Sequence, residues 1–455
     1  MQQFLTIWDL VLTPIYMIVL VAVAKSMRDK RYRPGHPLRR YFLPGLYVKF
    51  GGAIFIALVY AYYYRGGDTF NFFNHSRIIN SALDDSINTW FKLLFRFPVE
   101  GNRELYPYAM QMEWYNDPTS YTVASIGAVF GLFNGTTYLP TALLFAFFSY
   151  TGIWAMFRIF YNIYPKLHKE LAIAFLFIPS TFVWGSAVFK DTVCMFGLGW
   201  MTYCTFRLFI NRDFSIFNLV MLATSFYLIA TVKLYILLAF IPALSLWLLM
   251  TFSHRIHTPA LRWMVNLLFI GVTIGGFFFM AGRFASELNK YSLEKLAETA
   301  ATTRGWISYV SEKEEGSSYD LGEFDPSITG MLAKFPQAVV VTLYRPFLWE
   351  SRKVIVALSA IEAFVFLVLT LRLFFKKKLG VFRTISKDPN LVFFLVFSLI
   401  FAFAVGISSY NFGALSRYKI PCLPFYGAFL MVLMYYDKLR QPAKVAVRSK
   451  VVENV

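Results

Sequence analysis

The sequence FLTIWDLVLTPIYMIVLVAVAKSMRDKRYRPGHPLRR, residues 4–40, decides the fold class, because an apolar run of helix length is followed at once by a basic segment. About 20 apolar residues in a row can cross the hydrocarbon core of a bilayer as a helix. The basic residues of 28–40 mark the cytoplasmic end of such a helix. No basic segment precedes the run and no small-residue cleavage site follows it, so we interpret it as a retained helix and not as a signal peptide.

Similar apolar runs recur along nearly the whole chain. Hydrophobic residues make up 57% of its 455 residues and charged residues only 15%, a composition that argues against a set of soluble domains. We therefore expect an all-α, polytopic membrane bundle of about eleven transmembrane helices. The candidate spans are 4–24, 43–62, 138–158, 170–187, 192–211, 214–232, 234–251, 263–282, 353–374, 391–407 and 421–436.

The distribution of charge predicts the orientation of this bundle. When loops are assigned to alternate sides, most Lys and Arg fall on one side, above all in RDKRYRPGHPLRR (28–40) and FFKKK (374–378). By the positive-inside rule that side is cytoplasmic, which places the N-terminus outside and the C-terminus inside. The net charge of +18 is then an orientation signal, and we expect no nucleic-acid partner. The three cysteines lie in or beside apolar runs without a CxxC pair, which predicts neither a disulfide framework nor a zinc site.

Two long segments, 63–137 and 283–352, fall on the predicted outer side. Residues 69–96 alternate apolar and polar at helical spacing, so part of the first segment is expected to lie along the membrane surface. We interpret 120–133 as an interfacial or re-entrant helix, because a span there would move the basic segment 158–169 to the outer side.

Asp68 is the first candidate for chemistry. It follows Gly66 and Gly67 at the outer end of a predicted span, where glycines allow a tight turn and close approach of a substrate. A carboxylate at this place could act as a general base. The alternative is that Asp68 caps a helix over 69–80, since Asp is a favoured N-cap residue. His75 could face the same way as Asp68, although a lone polar histidine is more often simply exposed.

Glu113 and Asp117, in the segment MEWYNDP, are secondary acidic candidates on the same outer segment. Two acids could share a divalent cation or work as an acid–base pair. The alternative is a solvated loop with an Asp–Pro turn.

Lys190 and Asp191 stand between two predicted spans in the segment PSTFVWGSAVFKDTV. Adjacent charges at a membrane edge are costly unless they are paired or solvated. Lys190 could hold a phosphate while Asp191 caps the next helix. The alternative is an interface anchor whose charged end reaches water by snorkelling.

Further charged residues lie at the outer ends of the late spans. These are Arg345 and Glu350 in YRPFLWES, and Arg417 and Lys419 in LSRYKIPCLP. Arg suits bidentate recognition of phosphate and Lys a point-charge contact, so the basic residues could converge on one lipid phosphate. Alternatively, each could anchor a helix end. Glu362 is nearly the only charge deep within a predicted span; we expect it to face other helices and assign it no catalytic role.

Four segments carry a resemblance to a known family, the polytopic membrane glycosyltransferases of the GT-C type, which include dolichyl-phosphate-mannose protein mannosyltransferase-like proteins. SRYKIPCLPFYGAFLMVL (416–433) resembles the start of the last helix of that family, and GGDTFNFFNHSRII (66–79) its first acidic outer loop. FIPSTFVWGSAVFKDTV (177–193) resembles the middle outer loop, and YRPFLWES (344–351) is similar to a loop of uncharacterised bacterial relatives.

The resemblance implies a sugar donor linked to a polyprenyl phosphate and presented from the outer leaflet. Asp68 would take the proton of the acceptor hydroxyl. The departing phosphate would be held by Lys190, with Asp191 beside it, and by Arg345, Arg417 and Lys419. Two departures from the family pattern are the extra helix at 4–24 and the single Asp where the family often has two close acids. The second departure leaves the use of a divalent cation open.

Several functions remain as alternatives. A polysaccharide repeat-unit polymerase would share the donor and the outer site. A lipid-oligosaccharide flippase or other transporter would show charges within its spans, inverted repeats and broken helices. A non-catalytic membrane subunit is the third alternative. The sequence contains no GxxxxGK[ST], GxGxxG or HExxH pattern. The acceptor would be a glycan, a lipid or a protein of the cell envelope, and short cytoplasmic loops are typical of a bacterial inner membrane.

Overall fold

The computed structural model of the protein describes residues 4–252, 318–322, 333–351, 353–378, 380–409 and 411–436, and the single residues 258, 264, 267, 271, 330 and 439. Within these residues every regular element is a helix, and Ser318 and Asn411 form an isolated antiparallel bridge.

The described residues form eighteen α-helices, numbered in chain order. Helices α1–α9 are Ile7–Arg31, Arg39–Leu58, Asp68–Ser81, Ile87–Leu94, Tyr106–Ala109, Pro118–Gly131, Tyr138–Ile163, His168–Leu176 and Pro179–Trp184. Helices α10–α18 are Lys190–Asn211, Ile216–Lys233, Tyr235–Phe252, Phe335–Tyr344, Val354–Lys377, Gly380–Ile385, Pro389–Ser409, Phe412–Tyr418 and Leu423–Met434. A π-helical turn, Val59–Tyr63, extends α2, and short 3-10 turns are Arg103–Leu105, Pro165–Leu167 and Leu348–Glu350.

Among the described residues, eight helices are long and apolar enough to cross a bilayer. They are α1, α2 with its extension to Tyr63, α7, α10, α11, α12, α14 and α16. The chain is therefore an integral, multi-pass membrane protein, and the predicted all-helical fold is confirmed. The eight helices coincide with eight of the predicted spans. The predicted spans at 170–187 and 421–436 contain only shorter helices, and the one at 263–282 lies almost entirely outside the described residues.

The predicted span at 170–187 is not one continuous helix. Helix α8 ends at Leu176 and α9 begins at Pro179, because a proline lacks the N–H that would continue the helix and restricts the residue before it. Helix α18, within 421–436, has 12 residues and a length of about 18 Å, which is shorter than the hydrocarbon core of a bilayer.

Helices α7 and α10 form the centre of the bundle. In the most apolar stretch of each helix, 72% of the residues of α7 and 78% of those of α10 are buried. The same share is 17% for α1, which therefore lies at the periphery. The two helices meet at Gly152 and Gly199, where a Cβ on Gly199 would lie 2.1 Å from the carbonyl oxygen of Gly152. Only glycine allows the two backbones to approach so closely. Helix α1 is tied to this centre by Asp9, whose Oδ1 accepts a 2.7 Å hydrogen bond from the backbone N–H of Leu139 in α7.

Two buried charges hold the ends of the short helix α9. Oε2 of Glu362 accepts a 2.8 Å hydrogen bond from the N–H of Ser180 at the first turn. At the other end, Nζ of Lys49 donates to the carbonyl oxygen of Gly185 at 2.6 Å and to Ser149 at 3.1 Å. A carboxylate at the N-terminus and an ammonium at the C-terminus both oppose the charge of the helix dipole. This arrangement fixes the segment that leads into Lys190 and Asp191.

Lys49 also corrects the expectation that Glu362 is nearly the only deep charge. Its side chain is 2% exposed within α2, and that of Glu362 is 7% exposed within α14. Both charges face other helices, as expected for Glu362, and both make hydrogen bonds to α9 and the residue that ends it.

The segment 63–137 contains helices α3 to α6, which pack together through a second apolar cluster formed largely by residues of 79–128. Helix α4 leaves Ile87, Phe91 and Phe95 exposed at four-residue spacing, which is the pattern of a helix lying in a membrane interface. Helix α6 has 14 residues, and its location at the interface stays a prediction. The other predicted outer segment, 283–352, lies mostly outside the described residues.

Replacing Glu362 should test how α9 is held. We expect Glu362→Leu to lower the free energy of unfolding by about 1–3 kcal/mol, because the buried N–H of Ser180 loses its acceptor. Glu362→Gln keeps a carbonyl acceptor and should retain most of the stability. Thermal unfolding of the purified variants in detergent measures this, with Ile361→Ala, an exposed neighbour in α14, as the control. Equal melting temperatures for the Leu and Gln variants would contradict the role of Glu362.

Candidate functional site

The site is built around the carboxylate of Asp191, which is completely buried in the first turn of α10. Its Oδ1 accepts a hydrogen bond from Nζ of Lys233 at 2.5 Å, and its Oδ2 accepts one from Nε of Arg417 at 2.5 Å. A buried carboxylate is tolerated only when it is paired and hydrogen-bonded. We call Asp191, Lys233 and Arg417 the ion triad; it joins the start of α10, the end of α11 and helix α17.

Arg417 extends the ion triad to Asp68. Its Nη1 donates to Oδ2 of Asp68 at 2.7 Å, and its guanidinium lies 4.2 Å from the ring centroid of Phe189. Burial would lower the pKa of Arg417, but the carboxylates of Asp191 and Asp68 outweigh burial and raise it. The side chain of Asp68 is 49% exposed, whereas that of Asp191 is fully buried. Asp68 is therefore the part of the arrangement that solvent or a substrate can reach.

The backbone before Asp68 explains how its carboxylate reaches Arg417. Gly66 and Gly67 have φ of +134° and +117°, values that side chains rarely tolerate, and a Cβ on Gly67 would lie 2.9 Å from the ring of Tyr60. Gly67 is the N-cap residue, and α3 begins with Asp68. The alternative that Asp68 caps this helix is therefore wrong, because its carboxylate accepts a hydrogen bond from Arg417 instead.

The side chain of Lys190 lies outside the ion triad and contacts the carboxylate of Asp117. Its Nζ donates to Oγ1 of Thr119 at 2.5 Å and lies 3.4 Å from Oδ2 of Asp117. Asp117 is the N-cap of α6 and accepts hydrogen bonds from the backbone of Thr119 and Ser120, so the Asp–Pro pair begins a helix rather than a solvated turn. Burial opposes ionisation of Asp117, but the Ser120 hydroxyl, the Lys190 ammonium and Thr119 together lower its pKa to about 2.

The other residues predicted on this segment behave differently. Glu113 is exposed, whereas His75 is buried and lies 5.3 Å from Trp114 between ring centroids, so the expectation of an exposed histidine is wrong. Burial lowers the pKa of His75, while the nearby charge of Glu113 opposes that shift. In the part of the chain that the structure describes, no group of three or more His, Cys, Asp or Glu side chains is arranged to hold a metal ion.

Arg345 and Lys419 are two further basic residues, and both lie near helix α17. Arg345 makes an ion pair with Glu350, with Nε 3.1 Å from Oε2, and its guanidinium lies 5.2 Å from the ring centroid of Phe412 in α17. Burial would raise the pKa of Glu350, but the hydrogen bonds from Arg345 and from the backbone N–H of Phe347, together with the charge of Arg345, outweigh burial and lower it. Lys419 is fully buried, and its Nζ donates to the carbonyl oxygen of Arg345 at 3.4 Å. Lys419 therefore fixes the backbone of Arg345 through this hydrogen bond.

Two features of the ion triad differ from expectation. Asp191 does not cap α10, since Phe189 is the N-cap residue and the carboxylate binds side chains. Lys233 was not among the candidate residues, although it stands alone between the predicted spans 214–232 and 234–251. A single lysine between two apolar runs is costly in a bilayer unless it is paired, and this signal in the sequence could have identified Lys233.

Comparisons with known proteins give no relative for this chain. No family model matches it. No curated protein and no solved structure matches it.

Removing the carboxylate of Asp191 should destabilise the protein. In Asp191→Leu, the buried charges of Lys233 and Arg417 lose their shared partner, and breaking a buried ion pair costs about 3–5 kcal/mol. The double variant Asp191→Leu/Lys233→Met removes one of the stranded charges and should recover part of that loss. Thermal unfolding in detergent is the measurement, with the exposed Asp84→Leu as the control. A melting temperature for Asp191→Leu equal to that of the control would rule out the ion triad as a structural element.

Proposed function

We propose that the protein is a membrane glycosyltransferase of the GT-C type, which moves a sugar from a polyprenyl-phosphate donor to the hydroxyl of a glycan, lipid or protein acceptor. The observation that supports this is the pair formed by Asp68 and Arg417: a half-exposed carboxylate 2.7 Å from a guanidinium that buried Asp191 holds in place. Transfer from a lipid phosphate needs a base for the acceptor proton and a cation for the leaving phosphate.

The hydrogen bonds of Arg417 suggest how the donor would engage. Nε and Nη1 are bound to Asp191 and Asp68, whereas Nη2 donates to no described residue. The donor phosphate would bind Nη2 and the ammonium of Lys190, the residue that precedes Asp191. Competition for the guanidinium would release Asp68, whose carboxylate then turns toward the acceptor. The fully buried Lys419 is not in contact with the phosphate in this mechanism; it keeps Arg345 in place.

The transfer step then follows from these positions. The acceptor oxygen attacks the anomeric carbon of the sugar while Asp68 takes its proton. The bond between that carbon and the phosphate oxygen breaks, and the electron pair leaves with the polyprenyl phosphate, whose negative charge Arg417 and Lys190 stabilise. One carboxylate is sufficient for this inverting transfer, so Glu113 and Asp117 need take no part in it. A repeat-unit polymerase would use the same step with a glycan acceptor.

We also propose that this site faces the non-cytoplasmic side of a bacterial inner membrane, with the N-terminus outside and the C-terminus inside. The positive-inside rule supports this orientation. To test it, cysteines introduced at the exposed positions Asn88 and Ser386 are labelled with an impermeant maleimide, since the three native cysteines are buried. Asn88→Cys should react in intact cells and Ser386→Cys only after permeabilisation; the reverse result would invert the topology.

A transporter or lipid-oligosaccharide flippase is the second candidate, and one observation favours it. The helical segment 168–184 is interrupted between α8 and α9. The buried charges of Lys49 and Glu362 contact α9 and the residue that ends it. Interrupted helices whose ends meet charges are typical of substrate sites in secondary transporters. Translocation of a lipid-linked oligosaccharide in proteoliposomes, without any sugar transfer, would support this candidate.

Turnover of a polyprenyl-phosphate sugar by the purified protein in lipid tests the enzyme directly. We expect Asp68→Asn to lower the rate by about 10²–10⁴-fold, because general-base catalysis is lost. Asp84→Asn, an exposed acid on the same segment, should leave the rate unchanged.

Unfolding temperatures of both variants monitor the fold in that experiment. An unchanged rate in Asp68→Asn would discard Asp68 as the base. Absence of turnover with several donors, together with absence of lipid-phosphate binding, would favour the transporter or a non-catalytic membrane subunit.

A further inference from the structure

A second polar feature lies at the other end of the bundle from the ion triad. A cavity of about 210 Å³ is formed where α1, α7 and α10 end, and its lining includes Arg31, His36, Arg158, Tyr161, Tyr203 and Arg207. Arg207 lies almost five helical turns beyond Lys190 in α10, a distance of about 25 Å along the helix axis. The cavity is therefore separate from the proposed catalytic site by most of the thickness of a membrane.

The charges around this cavity are unbalanced. None of the described residues that line it is acidic, and the only carboxylate paired with one of its arginines there is Asp213, which binds Arg207. Arg158 donates to the hydroxyl of Tyr203 at 2.5 Å and lies 4.8 Å from the centroid of the same ring, so a neutral side chain is its partner. Arg31 has no ion pair with a described residue. Two guanidinium charges thus remain in excess in a small space.

Hydrogen bonding around the cavity is also incomplete. Nε of Arg207 is shielded from solvent and has no hydrogen-bond partner among the described residues. In contrast, the aromatic wall is fixed, since Nε1 of Trp154 donates to the hydroxyl of Tyr32 at 3.0 Å and the His36 ring lies 5.0 Å from the Tyr32 ring. The positive-inside rule accounts for arginines at this end of the helices, but it does not require three of them to line one cavity. An anion would supply the missing charge and accept the free hydrogen bonds.

We propose that this cavity binds a phosphate group, either free phosphate or the phosphodiester of an anionic lipid headgroup. Arginine forks match the geometry of phosphate oxygens, and Arg31, Arg158 and Arg207 come from three different helices, so they can surround one phosphate. The cavity, of about 210 Å³, is partly open to solvent. It therefore has room for a phosphate with part of a headgroup. Arg31 is exposed at the end of peripheral α1, where a lipid headgroup would approach it.

The full-length protein in nanodiscs tests this proposal. Binding of inorganic phosphate is measured by thermal stabilisation in phosphatidylcholine nanodiscs at constant ionic strength, and binding of a headgroup by titrating phosphatidylglycerol into the same nanodiscs. We expect Arg158→Gln to weaken the apparent affinity for the effective probe at least tenfold, equivalent to the loss of a charge-assisted hydrogen bond. Arg31→Gln, at an exposed position, should do the same without affecting the packed interior. Arg33→Gln, an exposed arginine that does not line the cavity, is the control.

Stabilisation by inorganic phosphate without an anionic lipid would identify free phosphate as the ligand. Stabilisation by phosphatidylglycerol alone would identify a lipid headgroup. The proposal is overturned if neither probe stabilises the wild-type protein, or if both arginine variants respond like Arg33→Gln. Because Arg158 and Arg31 lie far from Asp68, loss of this binding with unchanged sugar transfer would leave the proposed enzyme activity intact.

Discussion

Burial of the Asp191 carboxylate is the constraint on which the arrangement of the site depends. An ionised acid without solvent must be paired, and only Lys233 and Arg417 approach it closely enough among the described residues to form ion pairs. The end of α11 and helix α17 are therefore held at fixed positions relative to α10. Asp191 fixes the Nε of Arg417, and Nη1 of the same guanidinium donates to the half-exposed Asp68.

Buried charges also fix helix α9, which precedes Lys190 and Asp191 in the chain. Helix α9 is too short to be stable alone, and buried Glu362 and Lys49 satisfy its two ends with opposite charges. The chain then passes directly into Lys190 and Asp191. The interior thus provides a rigid support, whereas Asp68 stays half-exposed and follows two glycines with positive φ. A fixed guanidinium beside a more accessible carboxylate suits a site where an incoming phosphate replaces the carboxylate of Asp68 on Arg417.

Much of the fold could be predicted from the sequence, because length and apolarity determine a membrane span and eight predicted spans coincide with long helices. The break at Pro179 was missed, because hydropathy alone does not register where a helix must end. For the site, Asp68, Asp191 and Arg417 were candidates by residue type and position. The partner Lys233 was not predicted, since it reads as an ordinary charge near a span end, and only tertiary packing shows that it binds Asp191.

The central claim is that Asp68, Lys190 and Arg417 form one site for a lipid phosphate. The most direct measurement is a cryo-EM map of the protein in nanodiscs with bound polyprenyl phosphate. The account predicts phosphate density within hydrogen-bonding distance of Arg417 and Lys190, with the Asp68 carboxylate turned away from the guanidinium. Phosphate density elsewhere on the bundle, with the contact between Asp68 and Arg417 unchanged, would contradict the account.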